Sequence, residues 1–96
     1  MKISLDDIDV FVFDFDGVLT NNFVQIDENG KESVSCSRAD GLAFDVLNKL
    51  NKPVYILSTE KNSVVEMRAK KLNVPVLQGV NSKVESMIEL AELKGY

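Results

Sequence analysis

Asp14 and Asp16 stand two residues apart in "VFVFDFDGVLT", at the end of the most apolar segment of the chain, and Gly17 follows at once. In an extended strand, residues two apart share a face, so both carboxylates can address one space. Two close carboxylates repel, and a shared cation or a shared proton relieves the repulsion. Oxygen-only ligation suits Mg²⁺, which keeps several waters and favours bound phosphates. One carboxylate can then act as a nucleophile and form an aspartyl-phosphate, while the other donates and accepts a proton. Gly17 allows a sharp turn close to a ligand. Two further positions suit the same chemistry. Ser58 ends a second apolar run, and Lys83 opens the last helical segment. A cation at a helix start opposes the helix dipole unless an anion joins it. Lys83, Ser58 and backbone N–H groups after Asp14 could together clamp a transferring phosphoryl group. The plainer alternative is a solvated strand end, and Asp6, Asp7 and Asp9 do read as solvated surface.

These residues need a frame. Val10 to Phe15 is a continuous apolar run with β-branched and aromatic members, as in a parallel strand buried on both faces. Residues 22–37 suggest a hairpin around Asn29-Gly30, with Val24 and Ile26 on one arm and Val34 and Cys36 on the other. From Ala39 to Leu50 the period changes, and Leu42, Val46, Leu47 and Leu50 suit a helix stripe. "PVYILST" reads as a second buried strand, and "NSVVEMRAKKL" as a helix with basic residues in its last turns. "VPVLQG" reads as a third strand. "SKVESMIELAELKG" reads as a helix opened by a Ser82/Glu85 capping box, with Val84, Met87, Ile88 and Ala91 on its apolar side. The order predicts an α/β fold, a Rossmann-like doubly wound parallel sheet with a β-hairpin insertion after the first strand. In such folds ligands bind at the carboxyl ends of the strands, where Asp14 and Asp16 would lie. One core domain over 1–96 is expected.

Composition narrows the function. Fifteen acidic against eleven basic residues give a formal charge of -4, which speaks against nucleic acid or an anionic membrane as partner. A local positive site for a small anion stays possible. The chain has no His, which removes imidazole zinc sites and His as general base. A single cysteine, Cys36, excludes an internal disulfide and suits a small buried hydrophobe. No run reaches transmembrane length and the N-terminus is charged early, so a cytoplasmic protein is expected. A chain of 96 residues builds only a thin core, which favours further sequence or oligomerisation.

"DFDGVLT" resembles the first motif of the haloacid dehalogenase-like phosphatase superfamily. From about Asp9 to Tyr96 the chain resembles its small branch, which acts on 3-deoxy-D-manno-octulosonate 8-phosphate and on nonulosonate (sialic-type acid) 9-phosphates. The resemblance implies that Asp14 is the nucleophile and Asp16 the acid/base. It implies Mg²⁺ bound by the Asp14 carboxylate and the Asp16 backbone carbonyl. Ser58 would be the second-motif hydroxyl that hydrogen-bonds the phosphoryl group, and Lys83 the third-motif lysine that screens negative charge. Thr59 sits where relatives often have glycine, and both Thr20 and Thr59 are candidate substrate contacts.

Glu60 separates the two substrate classes. The octulosonate branch usually carries arginine there, and the nine-carbon branch a glutamate accompanied by an arginine and a lysine, matching Arg68 and Lys71. By resemblance these reach the substrate, including across a subunit boundary. A solvated helix surface is the alternative, and Lys70 reads as only that. An aspartate of the relatives matches Asp40, which could equally cap the following helix. The hairpin would join a homotetramer and help cover a neighbour's site, with Phe23 and Val24 as interface or core. The fourth acidic motif, which completes the Mg²⁺ site in the family, has no counterpart before Tyr96. The chain thus reads as truncated, with the remainder supplied by a longer protein or another chain, or as a short homologue. The expected function is a Mg²⁺-dependent phosphomonoesterase of a small sugar-acid phosphate, with nonulosonate 9-phosphate ahead of the octulosonate 8-phosphate. A non-catalytic oligomerisation or regulatory domain associated with a sugar-nucleotide synthetase is the competing class.

Overall fold

The computed structural model describes residues 4–96. In chain order they form a 3₁₀ turn at Leu5–Asp7, β1 (Phe11–Phe13), β2 (Gln25–Ile26), β3 (Glu32–Ser33) and α1 (Ala39–Lys49). There follow β4 (Val54–Leu57), α2 (Ser63–Leu72), β5 (Val76–Leu77) and α3 (Lys83–Lys94). β1, β4 and β5 make a parallel sheet in that spatial order, with Phe13 opposite Ile56 and Ile56 opposite Val76. Parallel neighbours require crossovers, which α1 and α2 provide. β2 and β3 form a separate antiparallel pair. The α/β architecture with its hairpin insertion is therefore the one the sequence implies.

One face of the sheet carries the main core. Phe44 of α1 and Val65, Ala69 and Leu72 of α2 close over Val54, Ile56 and Phe15. The Phe13 ring meets Phe44 edge-on, with centroids 5.2 Å apart and planes at 78°. Tyr55 and Leu57 alternate to the opposite face. There the Tyr55 hydroxyl lies 3.4 Å from that of Tyr96, just beyond α3.

Three local expectations change. β1 is shorter than Val10–Phe15 and only half-buried. It is the sheet's edge among the described residues: the Phe11 N–H donates to Pro53 O at 2.9 Å, so the alternate backbone groups, those of Val12, face away from β4. Asn29-Gly30 lies in the hairpin turn as expected, with the Gly30 N–H donating to Asp27 O at 3.0 Å. The Asp27 carboxylate accepts from the N–H groups of Asn29 and Lys31, each at 2.9 Å, and organises the loop with Gly30 at φ +78°. On α1 the buried residue is Phe44, while Leu42, Val46 and Leu50 are exposed and only Leu47 of the expected stripe packs. On α3 Leu90 is buried, and Val84, Met87 and Ile88 are exposed. Both helices carry two apolar stripes, and hydrophobic spacing alone does not say which one meets the sheet.

The helix ends follow local chemistry. Asn62 caps α2, its side-chain oxygen accepting from the Val64 N–H, and Asn73 ends it in the left-handed region. Ser82 accepts from the Glu85 N–H at 3.3 Å, which is half of the expected capping box. Asp40 does not cap α1: it lies within the first turn, and Ser37 accepts from the Ala39 N–H instead. Phe23 and Val24 are exposed, which removes them from the core. Cys36 is half-buried against the main core. Among the described residues, no helix is long and apolar enough to cross a membrane.

Candidate active site

Because β1 and β4 run parallel with Phe13 opposite Ile56, Asp14, Asp16 and Ser58 all emerge at one end of the sheet. β5 leads through residues 78–82 into α3 at the same end. Two backbone bonds hold this rim, Gly79 N–H to Glu60 O at 3.0 Å and Val80 N–H to Ser58 O at 3.2 Å. Lys83, the first residue of α3, reaches back so that its Nζ lies 2.8 Å from Asp14 Oδ1. The three chemical signals of the sequence, placed on three different elements, thus meet at the carboxyl end of the sheet.

Asp14 is held as well as paired. Its Oδ1 accepts the Phe15 N–H at 2.8 Å in addition to the Lys83 ammonium, and Oδ2 has no hydrogen-bond partner among the described residues. After Asp16 the chain turns at Gly17, whose φ of +78° is in the region that glycine adopts freely. Phe15 is wholly buried beneath the turn, and its carbonyl accepts from the Leu19 N–H at 2.9 Å. Thr20, also buried, ties the loop from within: its Oγ1 accepts from Gly17 N–H at 3.2 Å and from Asn22 N–H at 3.0 Å. The N–H groups of Phe15 and Gly17 are therefore engaged locally. Of the N–H groups that follow Asp14 in this turn, that of Asp16 stays open among the described contacts.

Asp16 is exposed and carries an acid weaker than usual. Partial desolvation is the main cause, followed by the negative charges of Glu60 and Asp14, with Lys83 opposing. Excess negative charge at one point favours a bound proton or a cation. Two carboxylates and a main-chain carbonyl leave room for water and phosphate oxygens, the ligand set that Mg²⁺ prefers. No group of three or more Asp, Glu, Cys or His side chains is placed to hold a metal among the described residues.

Ser58 is buried, and its Oγ accepts from Glu60 N–H at 3.0 Å, which leaves its own hydrogen available to a ligand. Glu60 turns one oxygen inward: Oε1 accepts from the N–H groups of Lys61 and Asn62, each at 3.0 Å. A narrow cleft runs from Asp16 and Glu60 to the hairpin, where Val24, Glu32, Ser33 and Val34 form its far wall. Nothing in the sequence pattern singled out Glu32. Its place in the cleft follows from the hairpin folding back over the start of α2.

The remaining candidates gather elsewhere. Thr59 is exposed at the rim and Lys71 is exposed on α2. Arg68 points to the base of the hairpin, where its Nη2 donates to Ser37 O at 2.8 Å. Asp40 lies near the same segment, with one carboxylate oxygen buried and unpartnered, and shares a second depression with Thr20 and Cys36. Burial raises the Cys36 thiol above its ordinary pKa, against the opposing effect of Arg68. Neither Arg68 nor Lys71 lines the cleft beside Asp16.

No family model matches the chain. Solved structures do. A protein assigned to the HAD family of hydrolases from Streptomyces avermitilis MA-4680 superposes with a TM-score of 0.92 at 44% identity, covering 97% of this chain and 53% of its own. The chain belongs to the haloacid dehalogenase-like superfamily. Within it, the resemblance is to the small branch named from the motifs. The 3-deoxy-D-manno-octulosonate 8-phosphate phosphatase from Moraxella catarrhalis, solved with magnesium, phosphate and KDO, gives a TM-score of 0.85 at 26% identity over 92% of this chain and 51% of that one. The cobalt-bound deoxy-D-mannose-octulosonate 8-phosphate phosphatase from Haemophilus influenzae gives 0.84 at 27% identity, over 95% and 54%. The chain spans about half the length of these solved relatives.

Proposed function

We propose that this chain carries the nucleophile-bearing part of a Mg²⁺-dependent phosphomonoesterase that acts on a sugar-acid phosphate. The observation that supports it most is the Lys83–Asp14 contact at the carboxyl end of the sheet, with Asp16 beside it. Asp14 attacks phosphorus through its open oxygen and becomes an aspartyl-phosphate. Asp16, as the acid, gives its proton to the leaving sugar oxygen, then takes one from the water that cleaves the aspartyl-phosphate. Ser58 donates its hydroxyl hydrogen to a phosphoryl oxygen, and Lys83 offsets the charge on Asp14 and the phosphoryl group. Mg²⁺, when bound by the Asp14 carboxylate and the Asp16 carbonyl, supplies further charge neutralisation of the phosphate.

Octulosonate 8-phosphate is the substrate the comparisons favour, since the relatives named for a substrate are octulosonate 8-phosphate phosphatases. This reverses the order that Glu60, Arg68 and Lys71 suggest from sequence. Nonulosonate 9-phosphate remains as a second reading on one observation: Glu60 lines the cleft beside Asp16, and its second oxygen could accept from a sugar hydroxyl or amide. In either case a homotetramer is part of the proposal, with the exposed hairpin residues Phe23 and Ile26 against a neighbour.

Phosphate release from the two sugar-acid phosphates, with Mg²⁺ or with EDTA, tests this reading. Metal-dependent release that favours one substrate supports the phosphatase and ranks the two. Folded protein that releases nothing from either sinks activity for these 96 residues, and the longer gene product then separates a truncated phosphatase from the non-catalytic class.

A further inference from the structure

We propose that Thr20 is a positioning residue: its hydroxyl oxygen fixes the Asp16–Gly17 peptide and so aims the Asp16 carbonyl, the main-chain ligand offered to Mg²⁺. The inference rests on the metal-dependent reading of the site. Thr20 Oγ1 accepts two main-chain bonds, from Gly17 N–H at 3.2 Å and from Asn22 N–H at 3.0 Å. Both donor residues sit in the left-handed region, Gly17 at φ +78° and Asn22 at φ +67°. One oxygen thus staples both ends of the loop that follows the nucleophile. Thr20 itself is only 8% exposed, its N–H donates to Phe15 O at 3.3 Å, and it pairs with Cys36 across the base of the hairpin. An oxygen held on so many sides is a fixed reference behind the loop, in place of the substrate contact expected from sequence.

The Gly17 N–H and the Asp16 carbonyl belong to one peptide unit. That unit is planar and trans, so the two groups point in opposite directions. With the N–H turned in to buried Thr20, the carbonyl is turned out of the loop. It accepts no hydrogen bond among the described residues, whereas the neighbouring Phe15 carbonyl accepts from the N–H groups of Val18, Leu19 and Thr20. A free carbonyl oxygen next to carboxylates suits a hard cation. Metal affinity depends on the groups that orient the ligands as well as on the ligands. Without Oγ1, the permissive backbone of Gly17 lets the peptide plane rotate, and the carbonyl loses its fixed direction. Thr20 therefore acts on the metal through the peptide and touches neither metal nor phosphate.

Titration of the folded chain with Mg²⁺ alone, followed by backbone amide resonances in NMR spectra, tests this without any turnover. Thr20→Val keeps the branched shape and removes the oxygen, while Thr20→Ser keeps the oxygen and removes the methyl. In Thr20→Val the Gly17 amide proton should move upfield, as a proton does on losing its acceptor, and Kd for Mg²⁺ should rise about tenfold or more. Thr20→Ser should keep the Gly17 resonance near its wild-type position and Kd within about threefold. A role in packing alone predicts the reverse, with Val tolerated and Ser impaired, and that pattern overturns the proposal. An unmoved Gly17 resonance in Thr20→Val overturns the staple, and a Kd within about threefold of wild type overturns the aim of the carbonyl. Should Thr20→Val fail to fold, Thr20→Ala is read in the same way, and failure of both also overturns the proposal. A wild-type chain with no Mg²⁺-dependent shift sinks the metal reading and the aim of the carbonyl with it, while the Gly17 resonance still judges the staple.

Discussion

Replacing Lys83 by methionine should leave the fold nearly as stable while removing most of the activity. Two electrostatic effects on stability oppose each other. Lys83 is the first residue of α3, where a positive charge conflicts with the helix dipole by about 0.3–1 kcal/mol. Its ion pair with Asp14 returns a similar amount. At 2.8 Å the contact is short, but the side chains are 36% and 43% exposed, which places it with surface pairs worth about 0.2–1 kcal/mol. The difference is within about 0.8 kcal/mol, or a melting-temperature change of no more than about 6 °C for a domain of this size. In catalysis nothing cancels. The same ammonium faces the nucleophile and the incoming phosphoryl group, and loss of one such preorganised contact costs about 10²–10³ in kcat. Thermal melts and steady-state phosphate release, on the same preparations, read both quantities. A melting temperature lowered by more than about 8 °C would show that Lys83 is chiefly structural. Release within about threefold of wild type would remove it from the chemistry.

Other residues separate in the same way. Phe44→Ala removes a buried ring with its edge-on partner Phe13 and should cost about 3–5 kcal/mol in urea unfolding, a large part of the stability of so small a chain. Gly17→Ala meets only Asn22 at ordinary contact distance, so its cost should come from the left-handed backbone alone, about 1–2 kcal/mol. Glu60→Gln removes one of the charges that weaken Asp16 as an acid. Asp16 should then lose its proton at lower pH, and the basic limb of the kcat/KM profile, which needs that proton for the leaving group, should move to lower pH. Because a carboxyl with a raised pKa favours the folded state only while protonated, stability lost as pH rises through that pKa should be smaller in the variant, as melts across the range will read.

The meeting point of the candidate residues was more legible in the sequence than the packing was. Asp14, Asp16, Ser58 and Lys83 could be placed because each follows a strand or opens a helix, and parallel topology brings those points to one edge. The stripes on α1 and α3 were not legible. Each helix has apolar residues on two sides, and only the sheet's position decides that Phe44 and Leu90 are the buried ones. The hairpin turn at Asn29-Gly30 was legible, while the bonds that the Asp27 carboxylate accepts from the Asn29 and Lys31 N–H groups were not. Arg68 was placed at the substrate, including across a subunit boundary, by resemblance; within the chain its Nη2 donates to Ser37 O, a contact that residue type alone does not announce.

The central claim is that Asp14 becomes phosphorylated during turnover. Acid quenching of the chain during reaction with octulosonate 8-phosphate and Mg²⁺, followed by peptide mass spectrometry, tests it directly. The expected result is one added phosphoryl group on the peptide that contains Asp14, abolished by Asp14→Asn and by EDTA. Phosphate release that persists in folded Asp14→Asn protein, or a phosphoryl group found on another residue, would contradict it.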